Sequence, residues 1–141
     1  MLESVQHFAH LASLLLLGLA LGVAWLMAIV SPNVAYDRRK GREADADVRA
    51  MLKAGSPQIG FVLLAATAFS VLAGHFVSAG TSLLAAFGFF TNLWTLASHK
   101  QDPAAADDQS EKKSLRVLAA AFSLIFSLVV VLATTLAFVG L

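Results

Sequence analysis

The sequence predicts an all-α integral membrane protein, an antiparallel four-helix bundle with its N- and C-termini outside and both long connections cytoplasmic. Three observations carry that expectation. Of 141 residues, 58% are hydrophobic and only 13% charged, which leaves too few polar side chains to cover a soluble surface. The charges are also segregated: none falls in residues 4–36, 54–99 or 117–141, gaps of 33, 46 and 25 residues. Finally, the apolar residues run on without alternating, which fits helices and not the strands of a β-barrel.

About 20 apolar residues cross the hydrocarbon core as a helix, so the outer gaps hold one crossing each and the middle gap holds two. The first helix is expected over residues 8–31, with Pro32 just beyond its end. No Lys or Arg precedes it and no A-x-A site follows it, so it reads as a retained span and not as a cleaved signal. Residues 42–55 place Ala44, Val48, Met51 and Leu52 on one helical face between Arg49 and Lys53, with Gly55 as a stop signal. That pattern predicts a short interfacial helix lying along the headgroups. Mixed Glu43, Asp45 and Asp47 dilute its basic character, so it reads as a helical linker, with an anionic-lipid or partner-docking element as the alternative.

The second helix is expected over residues 58–79, with Pro57 at its start, where a missing N–H costs nothing. The turn is expected in "VSAGTS", where Gly80 can take positive φ and Thr81 or Ser82 can cap the third helix, residues 81–98. Residues 100–114, with Pro, Ala and mixed charge but no apolar face, read as a flexible linker before the fourth helix, residues 115–139.

All ten Lys and Arg lie in the two connections, from Arg38 to Lys53 and from Lys100 to Arg116. The positive-inside rule puts both in the cytoplasm, and Trp25 and Trp94 fall near cytoplasmic helix ends. Small residues recur at four-residue spacing: Gly18 and Gly22 in the first helix, Ala66, Ser70, Gly74 and Ser78 in the second, Ala119, Ser123 and Ser127 in the fourth. Lipid supplies no hydrophobic drive between helices, so such faces let helices approach closely; they serve the bundle itself or, through Gly18 and Gly22, a homodimer. Asn92 lies about 17 Å in from the expected turn, at about 1.5 Å per residue. Thr67, Ser127 and Gly18 share that depth, so the amide is expected in an interhelical polar clasp beside the space left by Gly18 and Gly22, with a ligand-binding role as the alternative.

For chemistry the sequence offers little but histidine. Cysteine is absent, which removes thiol catalysis and thiolate metal sites, and no Asp or Glu lies inside a span to relay protons or bind a coupling cation. His7 and His10, at i and i+3, share a face at the outer end of the first helix, and His75 lies near the outer end of the second. Together they make a candidate site for copper or zinc, or, with His75 opposite one of the pair, for haem b. Alternatively they are amphipathic side chains finishing helices at the headgroups, with Glu3 able to orient His7.

The plan of "LLLLGLALGVAWLMAIVSPNV", a basic connection, a helical hairpin and "FTNLWTL" is similar to small four-helix bacterial membrane families, the anthrone oxygenase-like family and, more remotely, copper-resistance-D-like proteins. Pro32, the Gly-rich first helix and Asn92 with Trp94 carry the likeness. It implies a four-helix bundle with small-molecule oxidation or metal association, and no catalytic motif passes to numbered residues. The expected role is a non-catalytic accessory or interaction subunit in a bacterial-type inner membrane, its partners being the lipid bilayer and other membrane subunits or itself. The alternatives are an oxidoreductase or haem- or metal-binding subunit using the three histidines, and an oligomeric transporter or channel lined by Thr67, Asn92 and Ser127. Nucleic acid is not an expected partner, because topology already accounts for the basic residues behind a net charge of +1.

Overall fold

A computed structural model describes residues 2–38, 42–97 and 109–141. Within them every residue is helical except Gly74, His75, Gly140 and Leu141. The elements are α1 (Leu2–Trp25), a π turn (Leu26–Val30), α2 (Ser31–Arg38), α3 (Arg42–Ala73), α4 (Phe76–Ala97) and α5 (Gln109–Val139). Leu2–Ala35, Ala46–Ala73 and Ala121–Val139 are long and apolar enough to cross a membrane, and Phe76–Asn92 is a shorter apolar helix. The chain is thus a helical bundle with the makeup of a membrane protein.

The helices pack in a ring in which α1 and α4 each lie against α3 and α5, while α3 and α5 barely meet. Leu17, Leu63, Phe89 and Val130 fill the centre, and Ala20, Ala24, Ala66, Ala85, Ala86, Ala133 and Ala137 bring the backbones close around them. Outside, Leu15, Phe61, Phe87, Leu128 and Phe138 are exposed. Small side chains and hydroxyls inside with large apolar ones outside is the distribution that lipid favours, since the exterior has no water to avoid.

The first helix begins at Leu2, ahead of the expected residue 8, and four further boundaries differ from the sequence expectations, each for a local reason. The first helix does not end before Pro32. It continues through the π turn, in which the Ser31 N–H donates to the Leu26 carbonyl, and on into α2. A proline ring clashes with the carbonyl four residues back, here that of Ala28, and a widened turn directly upstream moves that carbonyl aside.

Residues 42–55 are not a separate interfacial helix, because α3 runs unbroken through Gly55 and Pro57. Its Ala44, Val48 and Leu52 are buried with Ala35 of α2, so this apolar face is spent on a neighbouring helix and not on headgroups; Met51 points away and is exposed. Gly55 is no stop signal, since it is buried and keeps negative φ. A Cβ there would overlap Sδ and Cε of Met27, so the glycine is the seat of that side chain.

The turn is at Gly74, with φ +84°, and Gly80 lies inside α4. Thr81 and Ser82 accordingly cap nothing: their hydroxyls bond back to carbonyls of their own helix, Thr81 to Val77 and Ser78 and Ser82 to Ala79. Finally, α5 begins at Gln109, so the last part of the expected linker is helix; its residues 100–108 lie outside the described residues.

Candidate functional site at the histidine end of the bundle

The site is built on two copies of one backbone device. At the end of α3, the His75 N–H donates to the Ser70 carbonyl at 2.9 Å and the Gly74 N–H to Val71 at 3.0 Å. At the end of α5, Leu141 donates to Leu136 at 3.0 Å and Gly140, with φ +85°, to Ala137 at 3.2 Å. Both are Schellman motifs, in which a left-handed glycine lets the chain fold back and satisfy carbonyls that a helix end would orphan. The first also starts the next helix, because the His75 carbonyl accepts from the Ala79 N–H at 2.9 Å. Two residues therefore make the whole junction between α3 and α4.

That junction projects the His75 ring onto α1. His75 Nε2 lies 3.0 Å from His10 Nδ1, and the rings meet edge to face with centroids 4.9 Å apart. One facing nitrogen carries the proton and the other accepts it. His10 reaches this place because it flanks the buried stripe Ala9, Ser13, Leu17, Ala20 and Ala24 that packs α1 into the bundle. Ser13 Oγ donates to the His10 carbonyl at 2.8 Å. The end of α5 closes the other side: a Cβ on Gly140 would sit 3.7 Å from His75 Cε1, the Ser78 N–H donates to the Leu141 carbonyl at 3.2 Å, and Ser78 Oγ donates to the Ala133 carbonyl at 3.0 Å.

Of the three candidate histidines, then, the structure brings His10 and His75 together, while His7 stands exposed one turn further out on α1. Among the described residues no group of three or more His, Cys, Asp or Glu is placed to hold a metal ion. Below the pair, Ser70 is fully buried and its hydroxyl has no hydrogen-bond partner among the described residues.

The residues expected in one polar clasp form two. Asn92 Nδ2 donates to Ser123 Oγ at 2.9 Å, joining α4 to α5, while Ser127 Oγ donates to the Ser123 carbonyl of its own helix at 2.7 Å. Thr67 joins α3 to α4 through Ser82, with the two hydroxyl oxygens 2.7 Å apart. Thr67 also lies 2.9 Å from the Leu63 carbonyl, and Ser82 lies 3.1 Å from that of Ala79. Two hydroxyl protons serve these contacts, and either hydroxyl can donate across the pair. Gly18 and Gly22 belong to neither clasp. Both are exposed, with nothing within 4 Å of where a Cβ would be. Ser82 and Ser123 were the partners that spacing alone left unpaired with these residues, although Ser123 lay on the small-residue stripe of the last helix. The chain matches no family model, no curated protein and no solved structure.

Proposed function

We propose that the chain is a small polytopic protein of a bacterial-type inner membrane, a non-catalytic accessory subunit that packs against larger membrane partners. The observation that carries this reading is how the bundle uses its polar groups. Asn92, Ser123, Ser127, Thr67, Ser82 and Ser78 bond between helices or to backbone, and Ala and Ser side chains fill the space around them. A subunit that conducted a solute or held a substrate would keep such groups facing a path. Here they are turned to holding helices together, while α1, α3, α4 and α5 offer lipid or a neighbour large exposed apolar side chains.

In this reading α1, α3, α4 and α5 cross the bilayer, each antiparallel to its neighbours in the ring. α4 is 22 residues long, about 33 Å at about 1.5 Å per residue, against a hydrocarbon core of about 30 Å. The basic connections face the cytoplasm, and the histidine end faces outward.

Native electrophoresis in mild detergent, after crosslinking in intact membranes, tests the role. The expected result is a band far heavier than the chain's 14.9 kDa, containing a second polypeptide in fixed stoichiometry. A chain that migrates alone, as monomer or pure homo-oligomer, overturns it.

A further inference from the structure

We infer that His10 and His75 form a two-coordinate site for a monovalent d10 metal ion, Cu(I) or Ag(I). The starting point is the facing pair of imidazole nitrogens, 3.0 Å apart and supplied by two different elements. In the neutral pair one nitrogen is N–H and its partner is a lone pair. Moving the donor ring's proton to its own far nitrogen turns both facing nitrogens into lone pairs aimed at one point. The ion then enters with no net proton release and no change of oxidation state.

Geometry asks for a small adjustment. Metal–imidazole bonds of about 2.0 Å set the two nitrogens of a linear complex about 4 Å apart, about 1 Å wider than the bonded pair. Rotation of the two side chains supplies it, since both rings are only partly buried.

The choice of ion follows from what surrounds the pair. Tetrahedral zinc needs three or four protein donors and calcium or magnesium an oxygen cage. The described residues offer the pair no third His, Cys, Asp or Glu, and the chain has no cysteine at all. A monovalent ion is also the one that a half-apolar setting tolerates, since desolvation cost rises steeply with charge. An iron porphyrin fits less well, because the rings already touch edge to face and the end of α5 closes against His75 at Gly140. The macrocycle would have to part α1 from the junction. This site stands or fails independently of the accessory role.

The test uses the full chain in mild detergent micelles under anaerobic conditions, titrated with Cu(I) against a coloured Cu(I) chelator, with X-ray absorption on the loaded protein. One retained equivalent with a linear two-nitrogen signature is expected. It is lost in His10→Ala and in His75→Ala and kept in His7→Ala. His10→Gln and His75→Gln, which keep a polar side chain at each place, lose the metal while retaining the helical circular dichroism of the parent. The inference is overturned if the unmodified chain yields its Cu(I) to the chelator, if the bound ion is three- or four-coordinate, or if His7→Ala loses it equally.

Discussion

Asn92 and the helical glycines show how individual residues set the packing. A Cβ at Gly88 would overlap the ring of Phe126, which is itself flanked by Phe89 and Phe122. A ring held among rings has no easy retreat, so Gly88→Ala is expected to cost about 1–3 kcal/mol, the usual range for overpacking. Gly55→Ala meets only the end of Met27, a flexible thioether that can swing away, and should cost less. Unfolding in mixed micelles by increasing SDS checks the order, and a larger loss at Gly55 would show that the π turn holds Met27 rigidly. Asn92→Ala removes the bond to Ser123 and is expected to cost about 0.6–1.7 kcal/mol. A double-mutant cycle with Ser123→Ala should assign most of that loss to the pair; additive losses would mean that the 2.9 Å contact contributes little.

At the scale of elements, the α3–α4 junction separates two glycines that look alike in sequence. Gly74 holds φ +84° and Gly80 is helical. Gly74→Ala should cost about 1–2 kcal/mol, the penalty for an L residue in the left-handed region. Gly80→Ala should be neutral or stabilising by up to about 1 kcal/mol, since Ala is the better helix former and nothing lies within 4 Å of the new methyl. Thermal melts of the two variants decide it, and equal effects would move the turn. The long α3 makes the same point in reverse. Gly55 and Pro57 carry the sequence marks of a break, yet the helix continues, because Ala44, Val48 and Leu52 gain a partner in Ala35 and Gly55 seats Met27.

For the whole molecule, the absence of cysteine makes topology directly measurable, as each introduced thiol is alone. In intact cells a membrane-impermeant reagent is expected to label Glu3→Cys and Leu141→Cys and to spare Lys40→Cys and Asp107→Cys until the membrane is opened. Labelling of Lys40→Cys from outside would invert the orientation proposed from the Lys and Arg distribution. A second molecular prediction concerns the outer face of α1. Gly18→Leu with Gly22→Leu should leave helicity and melting of the isolated bundle unchanged, because both positions face open space. A lowered melting temperature would mean that the added side chains meet neighbouring helices of the bundle.

The apolar solvent and the helical class were legible along the chain, because lipid imposes length, composition and charge segregation, and each of these is readable along one dimension; of the four crossings expected, three helices are long and apolar enough and Phe76–Asn92 is a shorter apolar helix. Of the polar and small residues singled out along the chain, Asn92 and Thr67 bond to a neighbouring helix, and Ala66, Ser70, Ser123 and Ser127 are buried. Only the tertiary structure decided which partner each one takes. That Asn92 meets Ser123, that Gly18 and Gly22 stay outside, and that His75 turns to His10 and leaves His7 exposed depend on the rotation of each helix about its axis. A four-residue repeat is the same whichever way its helix is turned, and that rotation is settled when all the helices pack at once.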